Sequence, residues 1–193
     1  LAGDALTVGN KNIAIGYRSL SGDTKGNKNV AVGNFALSTQ NFTTATDVFN
    51  VAVGHGAGEG ITTGIKNTLI GGLAGDALTD ADMNIVVGAE ALAIDTLGSA
   101  SVAIGRSALE TQNFTTATTT ENVAVGNQAG LSNLTGTAAT FIGHYSGRFA
   151  TTANATTFVG ANAGRGITGT KLTGNNNTAI GTSAGLVLQG AAT

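Results

Sequence analysis

Residues 122–130 read NVAVGNQAG, and the pattern returns at residues 177–185 as NTAIGTSAG. Asn opens a run of β-branched and small residues, and Gly closes it. Working outward from these two copies, a glycine ends such a run at positions 16, 33, 54, 71, 88, 105, 126, 143, 160 and 181, always 17 or 21 residues after the last. The second core position is β-branched in all ten copies, and the fourth is Ile or Val in all ten. Ala or Ser stands three residues past every glycine. A fixed period of this size marks a repeat architecture.

Each core predicts a strand, because β-forming residues alternate with mostly small ones up to a closing Gly, with Asn at the start in seven of the ten copies. A second short extended piece is expected at the Ala or Ser position and the Leu or Gly after it. Seventeen residues are too few for a βαβ unit, which takes roughly 30. They suit an all-β parallel solenoid in which each coil pairs with the next at ~4.8 Å. Ten coils give a rod on the order of 50 Å long. A longer period overlies the short one: TQNFTTAT at residues 39–46 recurs at 111–118, and LAGDALT at 1–7 recurs at 73–79. The 21-residue coils carry their extra residues in one inter-core segment, at Ser38–Phe49, Glu110–Glu121 and Arg165–Asn176, and these should project from one corner. Leu1 falls inside a repeat and Leu186–Thr193 stops before another core. The expectation is one repeat domain over residues 1–193, a piece of a longer fibrous protein cut mid-coil at both ends.

Composition narrows the function classes. The 193 residues include 30 Gly, no Pro, no Cys and no Trp, and only 10% are charged. Without cysteine there is no disulfide scaffold or thiolate metal site. Without proline or a three-residue period there is no collagen. A formal net charge of -2 gives no basic footprint for nucleic acid. No apolar run approaches the ~18 residues of a membrane-spanning helix, so no membrane insertion is expected.

Alternate side chains of a strand share a face. Positions two and four, with the closing glycine, are therefore taken as the repeat core: Val51, Val53, Gly54; Val102, Ile104, Gly105; Val123, Val125, Gly126; Ile180, Gly181. Position three points the other way and is Ala14, Ala31, Ala52, Leu69, Val86, Ala103, Ala124, Phe141, Phe158 or Ala179. Such a stripe would be an unusual patch to leave in water. One face is expected to fill the coil and this stripe to meet neighbouring chains, most simply in a closed homo-oligomer.

The cores NIAIG (12–16), SVAIG (101–105) and NTAIG (177–181) resemble the head repeats of YadA-like trimeric autotransporter adhesins. The variant with Ala-Gly after the closing glycine, at 122–130 and 177–185, is similar to shaft repeats of bacteriophage tail fibres. The resemblance implies a left-handed β-roll, a homotrimer and an extracellular setting on a bacterial cell surface or a phage virion. The 17-residue coil and the insertions depart from the common adhesin pattern.

Chemistry-bearing patterns are few. The string GHGAGEG at 54–60 fits neither a dinucleotide fingerprint nor a P-loop and reads as turn glycines. His55 and His144 are five coils apart, ~24 Å, too far to share a metal in one chain. Glu59 and Asp76 hold one register in adjacent coils, ~5 Å apart, near the separation of a retaining glycosidase pair. Arg148 and Arg165 occupy that register further on, and no aromatic sugar platform accompanies the acids. The loop residues Phe42, Thr43, Phe49, Phe114 and Thr115 are candidates for receptor contact, since a flat apolar ring beside hydroxyls suits a host-surface glycan or protein. The competing reading has each Phe plug a corner.

The expected function is a structural or adhesive segment of a trimeric surface fibre. It is not an enzyme and needs no cofactor. The alternatives are a β-helical carbohydrate-active enzyme using Glu59 and Asp76, and an ice-binding solenoid suggested by the Thr-rich coils.

Overall fold

The computed structural model describes residues 1–167 and 172–186, and these form an all-β parallel solenoid of about ten coils. Its strands are β1 (Ile13–Ile15), β2 (Gly26–Asn27), β3 (Val30–Val32), β4 (Thr46–Asp47), β5 (Val51–Val53), β6 (Thr68–Ile70), β7 (Ile85–Val87), β8 (Gly98–Ser99), β9 (Val102–Ile104), β10 (Thr118–Thr119), β11 (Val123–Val125), β12 (Thr140–Ile142), β13 (Thr157–Val159) and β14 (Thr178–Ile180). The ten three-residue strands are the ten cores, stacked as one parallel sheet in the order β1-β3-β5-β6-β7-β9-β11-β12-β13-β14. Register is strict: Val51 faces Thr68, Ala52 faces Leu69 and Val53 faces Ile70. Two small parallel ladders, β2–β4 and β8–β10, tie the first two 21-residue coils to the coils before them. A single bridge, Ala150 to Leu172, does so for the third. Residues 168–171 of that insertion, and 187–193 of the chain's last stretch, lie outside the described residues.

The sheet faces the opposite way from the sequence expectation. Position three is the interior of the coil: Ala31, Ala52, Leu69, Val86, Ala103, Ala124, Phe141 and Phe158 are fully buried, Ala179 nearly so, and the half-buried Ala14 packs against them. Positions two and four point outward. Val51, Val102, Val123 and Val125 are half-buried, while Val53, Ile104 and Ile180 are exposed. The third-position stripe is therefore not an inter-chain surface. The physical reason is volume. The interior must also hold the Ala or Ser three residues past each glycine, and the side chains four and seven past it, such as Leu37, Leu92 and Ile61. Only a mostly small residue fits between them at position three.

The stretch after each glycine is not a second extended piece. Successive tight turns replace it, with Gly54 O accepting from Ala57 N, Gly56 O from Glu59 N and Gly58 O from Ile61 N. The second and fourth residues past the glycine take left-handed φ, as in Phe35 at 63° and Leu37 at 51°. This backbone reverses direction quickly enough to fold five residues into the coil's width. The closing glycines themselves form a column with φ between 119° and 143°. A Cβ at Gly71 would lie 2.6 Å from the backbone of Gly88 in the next coil, so only glycine allows these coils to stack.

The Asn that opens seven of the ten cores does a specific job. Asn50 Oδ1 accepts the backbone N–H of Asn67, and Asn67 Oδ1 accepts that of Asn84, each at 2.9 Å. The amide nitrogen donates to a carbonyl at the end of the same coil, as Asn50 Nδ2 does to Gly64 O at 2.8 Å. One buried side chain thus satisfies backbone groups of two coils that no strand partner reaches.

Candidate functional site

The outer face of the large sheet carries two columns of ten side chains, sixteen Ile or Val and four Thr (Thr68, Thr140, Thr157, Thr178), with no charge among them. β-pairing fixes both columns in register, so they form a flat apolar ribbon along the rod. Ile13, Ile15, Ile70, Ile85 and Ile142 stand exposed on it with Val53 and Ile104. A continuous uncharged patch of this kind on a single chain marks an interaction surface.

The first two inserted segments are anchored rather than free. Phe42 and Phe114 fold inward and are 8% and 7% exposed, which overturns their reading as receptor contacts in favour of the corner plug. Each is held by a buried carboxylate one coil earlier. Asp95 Oδ1 accepts the N–H of Gly98 at 3.2 Å and of Phe114 at 2.8 Å, and Asp95 Oδ2 accepts Gln112 Nε2 at 2.6 Å. Gln112 Oε1 in turn accepts Asn122 Nδ2 at 2.9 Å. Asp23, Gln40, Phe42 and Asn50 repeat the arrangement in the first insertion. The sequence reading missed this cluster. Its signal is in the chain, since Asp23 recurs as Asp95 and Gln40 as Gln112 at the same spacing that relates the two TQNFTTAT segments.

Of the loop candidates, Thr43 and Thr115 remain exposed at the two tips, each followed by an exposed Thr-Ala. Phe49 is 46% exposed, and Lys28 Nζ sits 4.8 Å above its ring. Lys28 also pairs with Asp47 at 2.5 Å, and that hydrogen bond holds the Asp47 carboxyl below its ordinary range.

Glu59 and Asp76 do occupy neighbouring coils, joined where Gly60 N donates to Asp76 O at 2.7 Å. Burial pushes the Asp76 carboxyl up, and repulsion from Glu59 and Glu90 adds to the shift. Asp76 Oδ1 is buried with no hydrogen-bond partner. A carboxyl raised beside a second acid can hold a proton. Among the described residues no three His, Cys, Asp or Glu side chains cluster where a metal could be held. His55 and His144 are both exposed and pack edge or face against aromatic neighbours, His55 against Phe35 and His144 against Tyr145. No helix among the described residues is long and apolar enough to cross a membrane. Comparison with protein-family models, with curated proteins and with solved structures gave no match, so the functional reading rests on this chain's own residues.

Proposed function

We propose that this chain is a structural segment of a trimeric surface fibre, of the adhesin-head or tail-fibre-shaft kind, and that it acts by projecting or presenting a binding surface rather than by catalysis. In this reading the coils form a left-handed roll, three chains lie side by side, and the fibre stands outside a bacterial cell or on a virion. The observation that carries it is the outer ribbon of Ile, Val and Thr, whose side chains a lone chain leaves exposed or half-buried in every coil. Closed cyclic symmetry buries one such face per chain with no surplus edge. The resemblance of the Gly-closed cores to adhesin-head and tail-fibre repeats supports the same reading.

The test is molar mass in solution by light scattering, for the wild type and for Val53→Lys/Ile104→Lys. The wild type should give three times 18.9 kDa, and the charged-face variant should give one. A monomeric wild type would overturn the fibre reading. It would leave a regular β-branched face in water, for which thermal hysteresis is the measurement to make.

A further inference from the structure

The corner formed by coils eight and nine gathers a pair of stacked arginines. Arg148 and Arg165 each stand five residues past a closing glycine, Gly143 and Gly160, so they occupy one register in adjacent coils. Backbone pairing fixes that placement, with Phe149 N donating to Arg165 O at 3.0 Å. Both guanidinium groups gather on one ring. Arg148 Cζ is 4.6 Å and Arg165 Cζ 5.4 Å from the Tyr145 centroid. Arg148 also lies 5.0 Å from the Phe149 ring, and the His144 ring stacks on Tyr145 at 3.6 Å.

Neither cation has a protein acceptor among the described residues. The ion pairs there involve other groups, and Nε of both Arg148 and Arg165 is buried without a partner. The sequence explains why. Residues 122–193 hold three Lys or Arg and no Asp or Glu, whereas residues 1–121 hold six against eleven. Two like charges one coil apart repel, and orphaned N–H donors are costly. The ring faces offset part of that cost through cation–π attraction, but they accept none of the guanidinium hydrogen bonds. An oxyanion bridging the two forks would do so, with the charge-assisted, bidentate geometry arginine favours.

We infer that the Tyr145–Arg148–Arg165 corner is a binding site for an acidic polysaccharide. A sulfate or carboxylate bridges the two guanidiniums, and the sugar that carries it lies beside them against the half-buried Phe149 and the exposed His144. The aromatic side chains around the charge are what favour a glycan over bare phosphate or over the acidic coils of another copy, because neither of those uses an apolar surface beside the charge. All of these residues lie in the turns after the sheet, clear of the outer face assigned to chain–chain contact. The site does not depend on the trimer, so its failure and the failure of the fibre reading are separate results.

The chain has no Trp and two Tyr, so Tyr17→Phe leaves Tyr145 as the sole tyrosine reporter. In that background, heparin as the sulfated probe and polysialic acid as the carboxylate-only probe are titrated against tyrosine emission at low salt. At least one should perturb the emission saturably. Arg148→Gln/Arg165→Gln should then weaken its binding tenfold or more, with no fall in the thermal midpoint. Lys66→Gln/Arg106→Gln removes the same charge from the other half and should change affinity less than twofold. The heparin and polysialic acid arms tell sulfate from carboxylate. Equal losses in both double variants would overturn the site, as would binding of inorganic polyphosphate with neither glycan bound. A change of molar mass in the Arg148/Arg165 variant without any glycan binding would also overturn it, and would give the cations to contact between copies.

Discussion

At the scale of single residues, the interior is set by a volume rule that crosses coils. Where position three is large, the residue four past the closing glycine is itself glycine, in that coil and in the one before it. Leu69 goes with Gly75 and Gly58, Phe141 with Gly147 and Gly130, Phe158 with Gly164 and Gly147. Where Ala at position three is followed by Ala in the next coil, that residue is Leu, as in Ala31 with Leu37 before Ala52. The contact geometry gives the reason, since a Cβ at Gly58 would lie 2.5 Å from Leu69 Cδ1. Leu69→Ala alone should cost ~3–5 kcal/mol, as large-to-small core changes do. Gly58→Leu alone should cost ~1–3 kcal/mol by overpacking. The double variant rebuilds the Ala31–Leu37–Ala52 combination, and Leu37 already accepts the left-handed φ that position 58 requires. Denaturant unfolding of the four proteins should therefore show a favourable coupling above ~1 kcal/mol. Simple additivity would mean that the two positions do not share one cavity.

At the scale of the element, the same rule shows what the sequence made legible. The ten strands, their register and the coil period follow from Asn, Gly and the β-branched positions alone. Which face turns inward does not follow from alternation, because both faces are apolar. It was nonetheless encoded in the pairing of large third positions with glycines, a signal that appears only when residues of neighbouring coils are compared. The turn after each glycine was harder to foresee, because non-glycine residues such as Arg18, Phe35 and Tyr145 take left-handed φ there. Local propensity argues against that, and the stacked coils enforce it. The insertions were placed correctly along the chain, and of the two readings offered for their aromatic residues, the corner plug holds for Phe42 and Phe114. Phe42 and Phe114 are inside because Asp23 and Asp95 capture their backbone N–H groups. Asp95→Ala strips acceptors from Gly98 N, Phe114 N and Gln112 Nε2 at once. At ~1–3 kcal/mol for each buried donor left unsatisfied, it should lower stability by several kcal/mol. Hydrogen exchange at the Phe114 amide should speed up far more than at Val123 in the adjoining core strand. Equal acceleration at both amides would mean that the carboxylate supports the whole stack rather than the insertion.

At the scale of the molecule, a single coil buries little. Its third position is Ala in six of ten copies, and each coil touches only its neighbours, so stability accumulates along the rod as a sum of interface terms. The sixteen outward Ile and Val side chains are the largest apolar reserve left unused. If they meet other chains, assembly adds to folding, and mass action makes apparent stability depend on concentration. The melting midpoint of the wild type should then rise steadily over a hundredfold increase in protein concentration. Ile104→Lys places a charge at the middle of the ribbon without touching the interior, where Ala103 and Leu109 pack. It should lower the midpoint and abolish its concentration dependence, while the far-ultraviolet signal of the parallel sheet persists at low temperature. The core variant Leu69→Ala should behave in the opposite sense, with a lower midpoint that still rises with concentration. That contrast separates the two faces of the same strands. A wild-type midpoint independent of concentration would place the ribbon in water and remove the support for a trimer.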